Sequence, residues 1–97
     1  MMRRAKSYSI IDHQLLHGGY LNRLSHESMI LYLFLAVVGD KNGRSFYADL
    51  TVMGILRLGV QALDEARLEL IKEGLIDYRP PYWRVKTIKL EEEQCRL

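Results

Sequence analysis

His13 and His17 are four residues apart, a spacing that sets two imidazoles on one face of a helix and could let them share a metal ion. Yet no glutamate follows His13 in the HExxH manner, His26 stands apart, and Cys95 lies near the other end of the chain. Surface or half-buried histidines are therefore expected, and no metal site. A catalytic nucleophile needs an adjacent base and an orienting group, and neither a GxSxG elbow nor a cysteine signature supplies them. HGGY at residues 17–20 is too short to cradle a phosphate, so its glycines are expected to make a turn. These patterns point to no catalytic residue, no cofactor and no small-molecule substrate, hence to a non-enzymatic protein.

What remains is the chemistry of charge. The net value is only +2, but it is unevenly spread. Residues 1–24 carry Arg3, Arg4, Lys6 and Arg23 against Asp12, and residues 75–90 carry Arg79, Arg84, Lys86 and Lys89 against Asp77, so each segment is +3. Both could neutralise phosphates. Residues 60–74 differ, with Arg67 and Lys72 against Asp64, Glu65, Glu69 and Glu73, a balance of −2. Arg84, Lys86 and Lys89 also suit the wet face of any half-buried strand, since they alternate with Trp83 and Val85. Tyr78, Tyr82 and Trp83 fit a small core or a dimer contact better than they fit base stacking.

Helical spacing organises the segment that must position these groups. Val52, Met53, Leu56 and Leu58 form one apolar set and Leu63, Ala66, Leu70 and Ile71 another, as expected for two helices crossing over a small core. Asp49 is suited to cap the first helix and Gly74 to stop the second, after which Leu75 and Ile76 begin an extended segment. Pro80 and Pro81 cannot donate to a ladder, so the chain should turn there before Tyr82, Trp83 and Val85 resume a strand. Upstream, the apolar run 29–38 reads as a central helix capped by Ser25, though Ser28 at its third position leaves the reciprocal capping box incomplete. Apolar on nearly every side, this helix is expected to be packed on nearly every side. Residues 10–16 suit a helical turn on the core, residues 40–43 a polar turn, and residues 44–47 a short strand beside the hairpin.

The string VMxxLxLGxxxLxxARxxLxxxGLI at residues 52–76 resembles the winged helix-turn-helix domains of bacterial regulators and of plasmid, phage and primosome-type replication initiators. With LSHESMILYLFLAVVGDKNGRSF upstream, the resemblance covers residues 15–90. It departs at Arg57, where such turns usually carry Gly, and at Gly59, where a Ser or Thr cap is usual. The resemblance implies an α+β, mainly α fold, a three-helix core with a short β-hairpin wing, and double-stranded DNA as partner. The second helix would then meet the major groove through Val60, Gln61, Asp64, Glu65 and Leu68. In that docking mode Gln61 can read adenine and an acid can accept from cytosine N4, while adjacent acids face phosphate repulsion. The residues expected at DNA are Arg3, Arg4, Lys6, Arg57, Val60, Gln61, Asp64, Glu65, Arg67, Arg79, Arg84 and Lys86.

Length and composition suit one domain, since 97 residues with 48% hydrophobic and 27% charged can bury one core. A basic arm over residues 1–9 and a polar tail over residues 91–97 are expected to flank it. No apolar run approaches the ~20 residues that span a bilayer, no secretory signal is evident, and the single cysteine excludes an internal disulfide, so a cytoplasmic protein without a membrane partner is expected. The rival expectation is a protein-interaction module that pairs with itself or another protein through the acidic helix and aromatic wing.

Overall fold

The computed structural model describes residue 9 and residues 11–86. Two single helical turns, α1 (Gln14–His17) and α2 (Tyr20–Arg23), lead into the central helix α3 (His26–Val38). Strand β1 (Arg44–Phe46) follows, then helices α4 (Asp49–Leu56) and α5 (Val60–Lys72), then the hairpin β2 (Ile76–Arg79) and β3 (Tyr82–Val85). The fold is α+β and mainly helical, with one antiparallel sheet in the order β1-β3-β2. Helix α3 packs on α5 and on β3, so the core lies between helices and sheet. It is built from Leu31, Leu35, Val52, Leu63, Leu70, Leu75, Ile76 and Trp83, with Leu15 and Leu24 closing it from the first two turns.

Helix ends follow local chemistry at Gly74 and depart from it at Arg57, Gly59 and Asp49. Gly74 adopts φ 76° after α5, while Leu75 N–H donates to the Leu70 carbonyl at 3.0 Å and Gly74 N–H to that of Ile71. This double closure, with Leu70 and Leu75 both buried, is the Schellman stop that glycine makes without strain. Arg57 takes the equivalent left-handed position after α4 at φ 60°, which costs roughly 1 kcal/mol in a residue bearing a Cβ. Gly59 leads into α5 with no side-chain cap. Asp49 does not cap α4: Ala48 holds that position without a side-chain bond, because the Asp49 carboxylate is bound elsewhere.

Ser25 caps α3 as expected, its Oγ accepting from Ser28 N–H at 3.1 Å. The missing half of the capping box arrives from another helix. Glu69 of α5 accepts from the Ser25 backbone N–H at 3.1 Å and from the Ser28 hydroxyl, so a carboxylate 44 residues away does what a local glutamate would do. These bonds, led by that from Ser28, hold the Glu69 carboxyl below the ordinary glutamate range. Because the folded value lies below the unfolded one, the contribution is complete above pH ~4.3 and is lost as pH falls through the folded value. Glu69→Gln should therefore lower stability by about 1 kcal/mol near neutrality, and the gap from wild type should close in acid. Urea midpoints at neutral pH and below ~4 check this, and a constant gap would deny the carboxylate its role.

Two apolar expectations need correction. Helix α3 is not packed all round: Ile30, Leu33 and Val37 are exposed, forming a stripe at helical spacing. In α5, Leu63, Ala66 and Leu70 are buried but Ile71 is 40% exposed. The sheet, by contrast, forms where extended segments were expected. Asp40 turns the chain by accepting from the N–H groups of Asn42 and Arg44, and Gly43 then lies so close to β3 that a Cβ would sit 2.4 Å from the Val85 carbonyl oxygen. Pro80 and Pro81 form the two-residue hairpin tip, joined by a cis peptide bond.

Candidate nucleic-acid interface

On the first two turns of α5, Val60, Gln61, Asp64 and Glu65 are exposed together with Leu68 one turn on. The Gln61 amide donates to Glu65 Oε2 at 3.1 Å, an i,i+4 pair that holds both side chains along the helix surface. Much of the helix's negative charge has an internal use. Glu69 caps α3, Glu73 accepts from Arg23 at 2.8 Å, and Asp64 binds Arg67, which leaves Glu65 as the acid directed outward without a basic partner among the described residues.

Arg67 is placed elsewhere than the sequence suggested. Its side chain is only 11% exposed; Nη1 and Nη2 donate to both carboxylate oxygens of Asp49, at 2.8 and 3.2 Å, and Nη2 also reaches Asp64. The guanidinium lies 4.4 Å from the Tyr78 ring centre and 5.3 Å from that of Trp83. Tyr78 also donates its hydroxyl to Asp49 at 3.3 Å. One arginine thus ties the start of α4, the middle of α5 and both hairpin strands together, which explains both its burial and why Asp49 is not a cap.

The hairpin sorts its side chains by face. Trp83 is buried, donating its indole N–H to the Tyr47 carbonyl at 2.9 Å, and Tyr78 packs against it, so both belong to the core. The opposite face carries Arg79, Tyr82 and Arg84, all exposed, with Lys86 half-buried just beyond. Arg84 and Lys86 both lean on Asp77, at 3.4 and 3.9 Å. Such exposed pairs are weak and leave the cations free to exchange partners. Register adds two residues that sequence reasoning left out: Arg44 stands opposite Arg84 and Phe46 opposite Tyr82. Only the strand alignment could reveal them, because a three-residue strand has too few positions to show which side faces out.

Arg57 is exposed in the turn between α4 and α5. Arg3, Arg4 and Lys6, with Lys89 and Cys95, lie outside the described residues. Among the described residues no cluster of three metal-binding side chains occurs, and no helix is long and apolar enough to cross a membrane. The chain has no significant match among protein-family models, curated proteins or solved structures.

Proposed function

We propose that this chain is a winged helix-turn-helix domain that binds double-stranded DNA without catalysis, as a small transcriptional regulator or replication accessory of a bacterium or mobile element. The observation that carries the proposal is the element order: α3, β1, then α4 and α5 joined by the short turn at residues 57–59, then a hairpin whose second strand pairs with β1. That order supports the winged-helix reading because α4 and α5 supply a helix-turn-helix, β2 and β3 a wing, and β1 the strand that anchors the wing to the core. In this mode the α5 surface around Val60, Gln61, Asp64 and Glu65 enters the major groove. Arg79, Arg84 and Lys86 hold the backbone, assisted by Arg57 and by the arm bearing Arg3, Arg4 and Lys6. Arg67 has no part in contact, being occupied inside.

Replacing Arg84 and Lys86 by Ala should weaken duplex binding alike for all sequences and reduce the salt slope by about 0.9 per lost phosphate contact. Anisotropy titrations of labelled duplexes over a range of salt measure both quantities. An unchanged affinity and slope would remove the wing from the interface.

The stripe Ile30, Leu33 and Val37 favours a second reading, self-association or a protein partner. Beside it Ile11, Leu21, Met29, Tyr32 and Leu33 line an apolar groove. Sedimentation over a concentration series separates this from a monomeric DNA reader, since an apolar contact should persist at high salt while DNA affinity falls.

A further inference from the structure

We infer that the outer face of the three-stranded sheet binds single-stranded nucleic acid, stacking an unpaired base on the Phe46–Tyr82 pair and holding the flanking phosphates with Arg44, Arg79, Arg84 and Lys86. This goes beyond the duplex proposal, and it does not need α5 to enter a groove.

Side chains opposite one another in an antiparallel ladder share a face. The register therefore sets two rows side by side: Arg44, Arg84 and Asp77 in one, Phe46, Tyr82 and Arg79 in the next. Lys86, two residues beyond Arg84, adds a cation on the other side of the charged row, reaching Asp77 at 3.9 Å. Four cations thus share this face with one carboxylate. Arg44 stands directly across from Arg84, an opposition of like charges that destabilises a sheet. Among the described residues Arg44 has no ion-pair partner, so an anion laid across this row would relieve the repulsion.

The aromatic pair sets the kind of anion. Phe46 and Tyr82 are 63% and 61% exposed, and their rings stack on each other with centres 5.2 Å apart and planes 27° from parallel. Two large rings held flat against each other in water keep apolar area wet that the core could have used, while Trp83 and Tyr78, one residue out of phase, are turned inward. The stack is a ready surface for another flat ring, beside a row of cations that complements a phosphodiester backbone. In a duplex the base faces are already covered by their neighbours, so the occupant that uses both features is an unpaired strand, DNA or RNA. Arginine planes at Arg79 and Arg84 can join the stacking.

The test uses the full chain and fluorescent twelve-residue oligomers of deoxythymidine, of uridine and of abasic deoxyribose phosphate. Wild type should bind the base-bearing strands saturably and the abasic strand more weakly. Phe46→Leu and Tyr82→Leu, which keep apolar bulk on the strand, should each weaken base-bearing binding about five- to a hundredfold and leave the abasic strand unaffected. Arg44→Gln should reduce the salt slope for all three strands by about 0.7. Circular dichroism melts confirm that each variant is folded. A preference between thymidine and uridine strands tells DNA from RNA, and either supports the inference. Equal binding of abasic and base-bearing strands, or full binding by both leucine variants, would overturn it. Duplex titration of the same leucine variants keeps the two proposals apart: a loss confined to single strands supports the sheet surface whether or not α5 reads a groove, and a loss confined to duplex refutes it.

Discussion

Trp83→Ala should remove a large share of the domain's stability. The indole is fully buried, packs on Tyr78 beneath Arg67 and is pinned by its bond to the Tyr47 carbonyl. Truncating a buried aromatic of this size costs about 3–5 kcal/mol, against a total of roughly 5–15 kcal/mol for small domains. Trp83→Phe keeps a ring in the core and loses chiefly the N–H donor, leaving the Tyr47 carbonyl unmatched, so about 1–2 kcal/mol is expected. Far-ultraviolet circular dichroism should report the melts, because Trp83 is the only tryptophan and tryptophan fluorescence vanishes with it. An alanine variant that melts with wild type would mean that the sheet is not held to the helices through this residue.

Arg67→Ala comes next in size. It removes a fork to Asp49, a contact to Asp64 and a cation over two rings, for an expected loss of about 2–4 kcal/mol. The cost stays below that of a fully buried pair because Asp49, with its side chain 38% exposed, can rehydrate. Arg67→Lys should recover little, since an ammonium neither spans two carboxylate oxygens nor lies flat on Tyr78. A double-mutant cycle with Asp49→Asn should give a coupling of about 1–3 kcal/mol. Additive losses would show that Arg67 stabilises through its stem and stacking alone.

Arg67 also marks where sequence reasoning stopped. Leu63, Ala66 and Leu70 could be assigned to the core because their spacing selects one face of α5, and Gly74 and the two prolines announce their turns by backbone chemistry alone. An arginine among acids looks like any solvated helix residue, however, until Asp49 is brought 18 residues back along the chain to meet it. Glu69 was hidden for the same reason, its partners lying 41 and 44 residues away. Helix α3 failed differently: with apolar residues all round, its periodicity cannot say which face is buried, and only packing against α5 and β3 leaves Ile30, Leu33 and Val37 outside. The candidate interface divides along the same line. Arg79, Arg84 and Lys86 could be found by counting charge, whereas Arg44 and Phe46 needed the register of β1 on β3.

The bond between Glu69 and the start of α3 also bears on how the chain opens. First turns of helices ordinarily fray on their own, and their amides exchange with solvent through small local fluctuations. Here the Ser25 N–H is held by a residue of α5, and the Ser25 hydroxyl that receives the Ser28 N–H is bonded to a Ser28 hydroxyl tied to the same carboxylate. Both amides are thus restrained by a contact worth about 1 kcal/mol that a local turn does not supply. Deuterium uptake at Ser25 and Ser28 should consequently rise in Glu69→Gln, so that a helix end reports on the contact between α3 and α5 as well as on its own fraying.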